Sequence, residues 1–418
     1  MSYWVLTFFI GVVSILVFRL LSVKPKSKTP EPEENKDSIN ESLPDSPEKV
    51  AEWILKLEKS RLEVKEKLCR PPTYSERFYG RNEVTFEILK EIQKGSSTVI
   101  LYGRKGIGKT TLALELLKKY EYNFQNLKLY LDLKGGENEP MSIRDAMVQV
   151  LLSFRPSEII PENKTQLSRL YKKVMTPQRG ILFLDNVTHI DQIKALKPPD
   201  SWLVIATSYK KLNVIGAINR EVQPLDIESA QEFLVACSLR LKPNAREIAK
   251  LCRGLPLALE VCGKFISCNM KINPIDFLSL FRKHWKDSLL EKSDEYEESL
   301  QAAFKAIFYS LNDKEQKSLC KLSVFPCTFD SQAASRISEQ NVDTLQTLSQ
   351  SGLIKSDLLS KRYIIHSWIK KQLKDYLPEM DLREARIRHA IFYLSIFDTA
   401  GESFSQGGEK VVEGLKLF

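Results

Sequence analysis

Hydrophobic and polar positions change their spacing repeatedly along the 418 residues, and each change predicts a different element. Tyr3 to Phe18 is almost unbroken apolar, and Leu20, Leu21 and Val23 extend the run. About 20 such residues span about 30 Å of hydrocarbon, so the pattern predicts a transmembrane helix over 3–23. Arg19, Lys24, Lys26 and Lys28 put the positive flank C-terminal, which predicts a single-pass membrane protein with residues 24–418 in the cytosol. A cleaved signal fits less well, because no charged segment precedes Tyr3 and no A-x-A follows. From Pro25 the composition turns to Pro, Glu, Ser, Lys and Asp, which predicts a disordered tether over 24–47. Val50, Trp53, Ile54, Leu57, Val64 and Leu68 then fall at helical spacing, an amphipathic helix over 48–70.

Beyond residue 75 short β-branched runs alternate with helical stretches. Ser97 to Tyr102, Leu127 to Leu133, Gly180 to Asp185 and Trp202 to Ala206 read as buried strands. Strands alternating with helices predict an α/β fold with a doubly wound parallel sheet. After Leu259 the chain reads helical through about Phe281 and again from Tyr296 through Leu311, then from Leu382 to Phe397.

Composition narrows the class. The content of 43% hydrophobic and 28% charged residues is that of a folded chain, and the length suggests two to three units. The net charge of +9 is spread along the chain, so charge gives no argument for nucleic acid. Seven cysteines without a C-x-x-C pair point to a reducing compartment and unpaired thiols, and neither they nor the four scattered histidines suggest a zinc site.

Chemistry concentrates where the first strand ends. Gly103-Arg104-Lys105-Gly106-Ile107-Gly108-Lys109-Thr110-Thr111 lies between a strand and a helix, the arrangement that turns backbone N–H groups and a helix N-terminus toward phosphate. Lys109, read as solvent-facing, would reach the β- and γ-phosphates, and Thr110 would ligate Mg²⁺. Asp185, at the end of a second buried strand, is the carboxylate such a metal needs. Gly254 to Leu259 reads as a helix stop followed by Pro256 at the first turn of the next helix, where its ring can lie on adenine.

The motif series resembles the NB-ARC nucleotide-binding switches of the STAND class of P-loop ATPases, over about residues 75–390. Phe78-Tyr79-Gly80-Arg81 resembles the family's adenine-side segment, Leu184-Asp185-Asn186-Val187 its Walker B motif, Ala206-Thr207-Ser208 its sensor strand, and Gly254-Leu255-Pro256-Leu257-Ala258-Leu259 its GLPLAL motif. Ser323-Val324-Phe325-Pro326 through Asp330 resembles the start of its winged-helix domain, with His366 in the Met-His-Asp position. The resemblance implies a P-loop domain over 75–226, a helical domain over 227–311, a winged-helix domain over 312–378, and a helical segment over 379–418 that resembles the start of TPR-like repeats. It implies ADP or ATP with Mg²⁺ held by Tyr79, Gly80, Arg81, Gly103, Gly106, Ile107, Gly108, Lys109, Thr110, Thr111, Thr207, Pro256 and His366, with Asp185 as catalytic and metal-binding acid. A protein partner or self-association is implied, and no nucleic acid.

Three departures weaken the expected chemistry. Asn186 stands where many relatives carry a second acid, Ser208 where they carry an arginine, and Ser367 at the third Met-His-Asp position. An amide cannot accept a proton, so hydrolysis is expected to be slow or absent. The expected function is a membrane-anchored nucleotide switch. An active P-loop ATPase or remodeller, which would need an acid after Asp185, and a DNA-binding regulator, which would need a basic recognition helix, are the alternatives.

Overall fold

The computed structural model describes residues 69, 71–72, 78–120, 127–135, 140–155, 158–199, 201–288, 294–357 and 361–405. The expected anchor and tether, and all of the 48–70 helix except Cys69, lie outside them. Among the described residues no helix is long and apolar enough to cross a membrane. That finding corrects the single-pass membrane placement. The longest helix, Glu379–Ser405, has 27 residues, yet it carries Arg383, Glu384, Arg386, Arg388, Asp398 and Glu402, charges that hydrocarbon does not admit.

Five strands form one parallel sheet: β1 (Thr98–Tyr102), β2 (Lys128–Asp132), β3 (Ile181–Val187), β4 (Leu203–Ser208) and β5 (Ile218–Glu221), in the order β2-β3-β4-β1-β5. Thus β4 lies between the strand that leads into the phosphate loop and the strand that carries Asp185. Strand side chains alternate faces, and here both faces are buried. Val99, Leu101, Ile181, Phe183, Leu203 and Ile205 enter one core, while Ile100, Leu131, Leu182, Leu184, Val204 and Ala206 enter the other. Helices α1 (Asn82–Gln93) and α2 (Lys109–Tyr120) contribute Ile88, Ile92, Leu112 and Leu116 to the first. Helices α3 (Ile143–Phe154), α4 (Lys164–Met175) and α5 (Ile190–Leu196) contribute Met147, Val150, Leu167, Tyr171 and Ile193 to the second. The doubly wound α/β sheet is therefore as expected. The edge strand β5 was not foreseen, because its sequence INRE buries only Ile218.

The first core does not end at the sheet. It continues through α6 (Ile227–Cys237), α7 (Ala245–Leu251), α8 (Pro256–Cys268), α9 (Pro274–Ser288) and α10 (Glu295–Phe308). From there it runs into α11 (Asp313–Leu322), α12 (Ser331–Ser338), α13 (Val342–Gln350) and α14 (Ser367–Leu373). The α12–α13 pair is followed by an antiparallel hairpin, β6 (Ile354–Asp357) with β7 (Arg362–Ile365), in which Ile354 pairs with Ile365. Polar residues start these helices, as the unpaired N–H groups of a first turn require. Asn312 and Glu315 form a reciprocal capping box on α11, Asp330 caps α12, and Asn341 caps α13. The last helix, α15 (Glu379–Ser405), is one continuous element rather than the shorter stretch expected, and it docks against α12 and α11.

Candidate functional site

Between the C-terminal ends of β1, β3 and β4 lies a glycine loop. Gly103, Gly106 and Gly108 have φ of +148°, +73° and +84°, a backbone that side chains rarely adopt. A Cβ on Gly106 would press on Leu257 and one on Gly108 on Arg81, so the loop is both curled and closely covered. The α2 helix begins at Lys109, bringing its unpaired N–H groups to the loop. Lys109 is not solvent-facing: it is only 8% exposed, and its Nζ donates to the carbonyl oxygens of Gly103 (2.9 Å) and Arg104 (2.8 Å). Burial lowers its pKa from 10.5 to about 8, against the pull of Asp185, so the ammonium is a poorly solvated charge close to the loop amides.

Asp185 forms the acidic edge. It is 4% exposed and accepts from Thr110 Oγ1 (3.0 and 3.1 Å to its two oxygens), from Thr207 Oγ1, and from Tyr130 OH (3.3 Å). Burial, then the neighbouring Asp132, raise its pKa to about 6 in spite of these donors. A hydroxyl and a carboxylate in direct contact are hard oxygen ligands of the type Mg²⁺ takes in partnership with phosphates and water. Thr110 and Asp185 fit that ion.

The wall opposite the loop comes from beyond the sheet. Gly254, with φ of +66°, stands so close to the Leu225 carbonyl that a Cβ would lie 2.1 Å from its oxygen, and its own oxygen accepts from Leu225 N at 2.9 Å. That tight junction starts α8 at Pro256, and the Leu257 N–H donates to the Gly106 carbonyl at 3.2 Å. Pro256 lies beside Gly108, 3.6 Å from where a Cβ would be. Two charged contacts bind the loop to the start of α10: Arg104 pairs with Asp294 and lies over the Tyr296 ring at 4.6 Å.

His366 caps α14, its Nδ1 accepting the Trp368 N–H at 3.1 Å. The neutral ring must then carry its proton on Nε2, which makes that atom a donor. Burial lowers its pKa to about 3, helped by the fields of Lys355, Lys109, Lys105 and Lys370. Two of those lysines belong to the glycine loop, so His366 lies within their electrostatic range. Because folding depresses this pKa from 6.5, the stabilising contribution is complete above about 6.5 and is lost as pH falls toward 3. The unfolding midpoint should drop through that window, and His366→Gln, which cannot titrate, should flatten the drop. An unchanged slope in the variant would show that the imidazole is not desolvated.

The geometry departs from the sequence expectations at Arg81 and adds two residues they left out, Asp132 and Tyr209. Arg81 was expected near adenine, yet its guanidinium donates to the carbonyls of Ile107 (2.5 Å), Gly108 (3.2 Å) and Gln223 (3.0 Å), bracing the loop from behind. Tyr79 packs edge-on against Phe233, and Gly80, with φ of +64°, leaves room for Ser229. Asp132 was overlooked: it pairs in register with Asp185 across β2 and β3 and accepts from Asn186 Nδ2 at 2.8 Å. Tyr209 was overlooked as well. Ser208 is buried at the end of β4, and it is the next ring that faces the loop, with Lys109 Nζ 4.8 Å and Lys105 Nζ 5.0 Å from its centroid. Only the run of strand β4 into the loop region could have flagged it. Thr207, expected among the nucleotide-holding residues, donates to Asp185 and accepts the Asn186 N–H at 3.0 Å; Ile107 is buried and Thr111 half-buried in the loop and first helical turn.

Residues 99–223 match the model of the ATPase family associated with various cellular activities (AAA). A putative disease resistance protein of Arabidopsis thaliana is 24% identical over 349 residues, covering 78% of this chain and 30% of the relative. The regulatory protein AfsR of Streptomyces griseus is 24% identical over 203 residues, covering 44% of this chain and 20% of the relative. A solved STAND protein with a tetratricopeptide repeat sensor, from Pyrococcus horikoshii, superposes with a TM-score of 0.55 at 19% identity, covering 83% of this chain and 50% of that one. The chain thus carries an AAA-type P-loop domain, and the resemblance to the NB-ARC switches of the STAND class holds. It spans less than a third of the length of the curated relatives just named.

Proposed function

We propose that this chain is a nucleotide-operated switch that binds ADP or ATP with Mg²⁺ between its sheet and its C-terminal helical units. The α11–α13 helices with the β6–β7 hairpin are read as a winged-helix unit, 227–311 as a helical domain, and 75–226 as the P-loop domain. In that reading the loop amides, Lys109 and Thr111 hold phosphate, and Pro256 and Tyr79 border the base. Arg81 keeps the loop in shape, and Thr110 and Asp185 would hold Mg²⁺, which when bound neutralises phosphate charge. The observation that carries the reading is the juxtaposition of His366, from the last unit, with Lys105 and Lys109 of the loop. A neutral imidazole donating from Nε2 to a phosphate would tie the two walls together in one nucleotide state.

A hydrogen bond to phosphate contributes about 1–3 kcal/mol, so His366→Ala should speed ADP release about ten- to a hundredfold. Stopped-flow release of a fluorescent ADP measures this, and equal rates for wild type and variant would remove His366 from the switch. Slow hydrolysis belongs to the same proposal and rests on Asn186. A second reading, an active ATPase, is favoured by Asp132, whose carboxylate lies next to Asp185 although the residue after Asp185 is an amide. Phosphate release that is measurable in wild type and abolished in Asp132→Asn would establish that second reading.

A further inference from the structure

Among the described residues, Arg81, Arg104, Lys105 and Lys109 lie at the phosphate loop, and three of these are engaged. Arg81 donates to loop carbonyls, Arg104 pairs with Asp294, and Lys109 donates to two carbonyl oxygens. Lys105 is the exception. Its ammonium is half-buried, and among the described residues it makes no hydrogen bond and no ion pair. It is held over the face of Tyr209 at 5.0 Å, beside Lys109 at 4.8 Å from the same ring. A ring face attracts a cation, the more so when water is kept away, so one tyrosine can gather two ammonium groups that repel each other. Each lysine lowers its pKa through burial first, and Lys105 also acts against Lys109. Two like charges brought this close and poorly solvated form a site for an anion.

Its position says which anion. The loop amides and the N-terminus of α2 enclose the inner phosphate, and the P-loop lysine reaches outward from it. Tyr209 follows β4, the strand between the loop and Asp185, so the ring and both ammonium groups lie on the side of the metal edge. A terminal phosphate extends to that side. Strand β4 ends in Ser208, so no arginine from that position can meet it.

We propose that Lys105, positioned by the ring of Tyr209, is a second phosphate-binding cation that distinguishes a nucleoside triphosphate from a diphosphate. This rests on the reading of the loop as a nucleotide site. The same ammonium feels Glu297 of α10 and Lys371 of α14, so a charge change at the terminal phosphate is felt on the C-terminal wall. Lys105 thereby supplies the cation missing at Ser208, from the loop itself.

Affinities of the purified full chain for fluorescent ATP and ADP with Mg²⁺ test this, for wild type, Lys105→Met, Tyr209→Phe, Tyr209→Leu and Lys109→Met. The ATP-to-ADP affinity ratio should fall about tenfold or more in Lys105→Met, the size of a charge-assisted contact to one phosphate. Tyr209→Leu should shift the ratio in the same direction, and Tyr209→Phe, which keeps the ring face, should restore it. A ratio unchanged in Lys105→Met overturns the proposal. Equal losses in Phe and Leu variants would give the role to the hydroxyl and overturn the positioning part. Lys109→Met separates the two levels: if it binds both nucleotides like wild type, the site reading itself fails, whereas if it loses both while Lys105→Met keeps the wild-type ratio, only the role of Lys105 fails.

Discussion

Lys109→Met should abolish nucleotide retention while leaving the empty protein at least as stable as wild type. The ammonium is 8% exposed, and burial lowers its pKa from 10.5 to about 8. A depressed lysine pKa means that folding disfavours the charged form: the stabilising contribution is present above 10.5 and is lost as pH falls through 8. At pH 7 the charge is therefore carried at a penalty of about 3 kcal/mol, which an apolar chain of similar length removes. Asp185 keeps its three hydroxyl donors in the variant. Two or more charge-assisted bonds to phosphate are lost, so affinity should fall by about two to three orders of magnitude. Chromatography of nucleotide released from denatured protein reads the first effect and urea unfolding the second. Wild-type nucleotide content in the variant would refute the assignment, and a large loss of apo stability would show that Lys109 supports the fold.

Replacing Gly254 with alanine should be among the most damaging single-methyl changes in the molecule. A φ of +66° costs an alanine about 1–2 kcal/mol, and the added Cβ would lie 2.1 Å from the Leu225 oxygen, where the backbone itself must shift. With overpacking of about 1–3 kcal/mol the expected destabilisation is about 2–5 kcal/mol. The shift would also displace α8 and the Leu257 N–H that holds the Gly106 carbonyl, so nucleotide affinity should fall with stability. Gly401→Ala is the comparison: it sits inside α15 with nothing within 4 Å of its Cβ, and should stabilise by about 0.5–1 kcal/mol. Similar unfolding midpoints for the two variants would contradict this account.

Local signals were sufficient wherever one residue type answers one local demand. The glycines of the phosphate loop, the apolar strand before it and the Asp185 strand could be read directly, since positive φ, burial on both faces and a strand-end carboxylate each leave a mark in sequence. Strand β5 left no such mark, because an edge strand with one buried residue reads as a loop. The apolar run at 3–23 shows the limit of composition: a membrane placement inferred from it finds no support among the described helices.

What the sequence by itself determined was the α/β sheet, the phosphate loop with Lys109 and Thr110, the acid Asp185, and the glycine–proline junction at Gly254 to Pro256. What only the tertiary structure decided was which distant groups share the cleft. Strand order put β4, and so Tyr209, between the loop and the acid. Docking of α8 and α14 brought Leu257 to Gly106 and His366 into the field of Lys105 and Lys109. Register across β2 and β3 set Asp132 beside Asp185, and packing withdrew Lys109 from solvent and turned Arg81 onto loop carbonyls. Spacing along a chain encodes backbone demands within a turn or a strand, whereas proximity between residues a hundred or more positions apart arises only when the elements share one core.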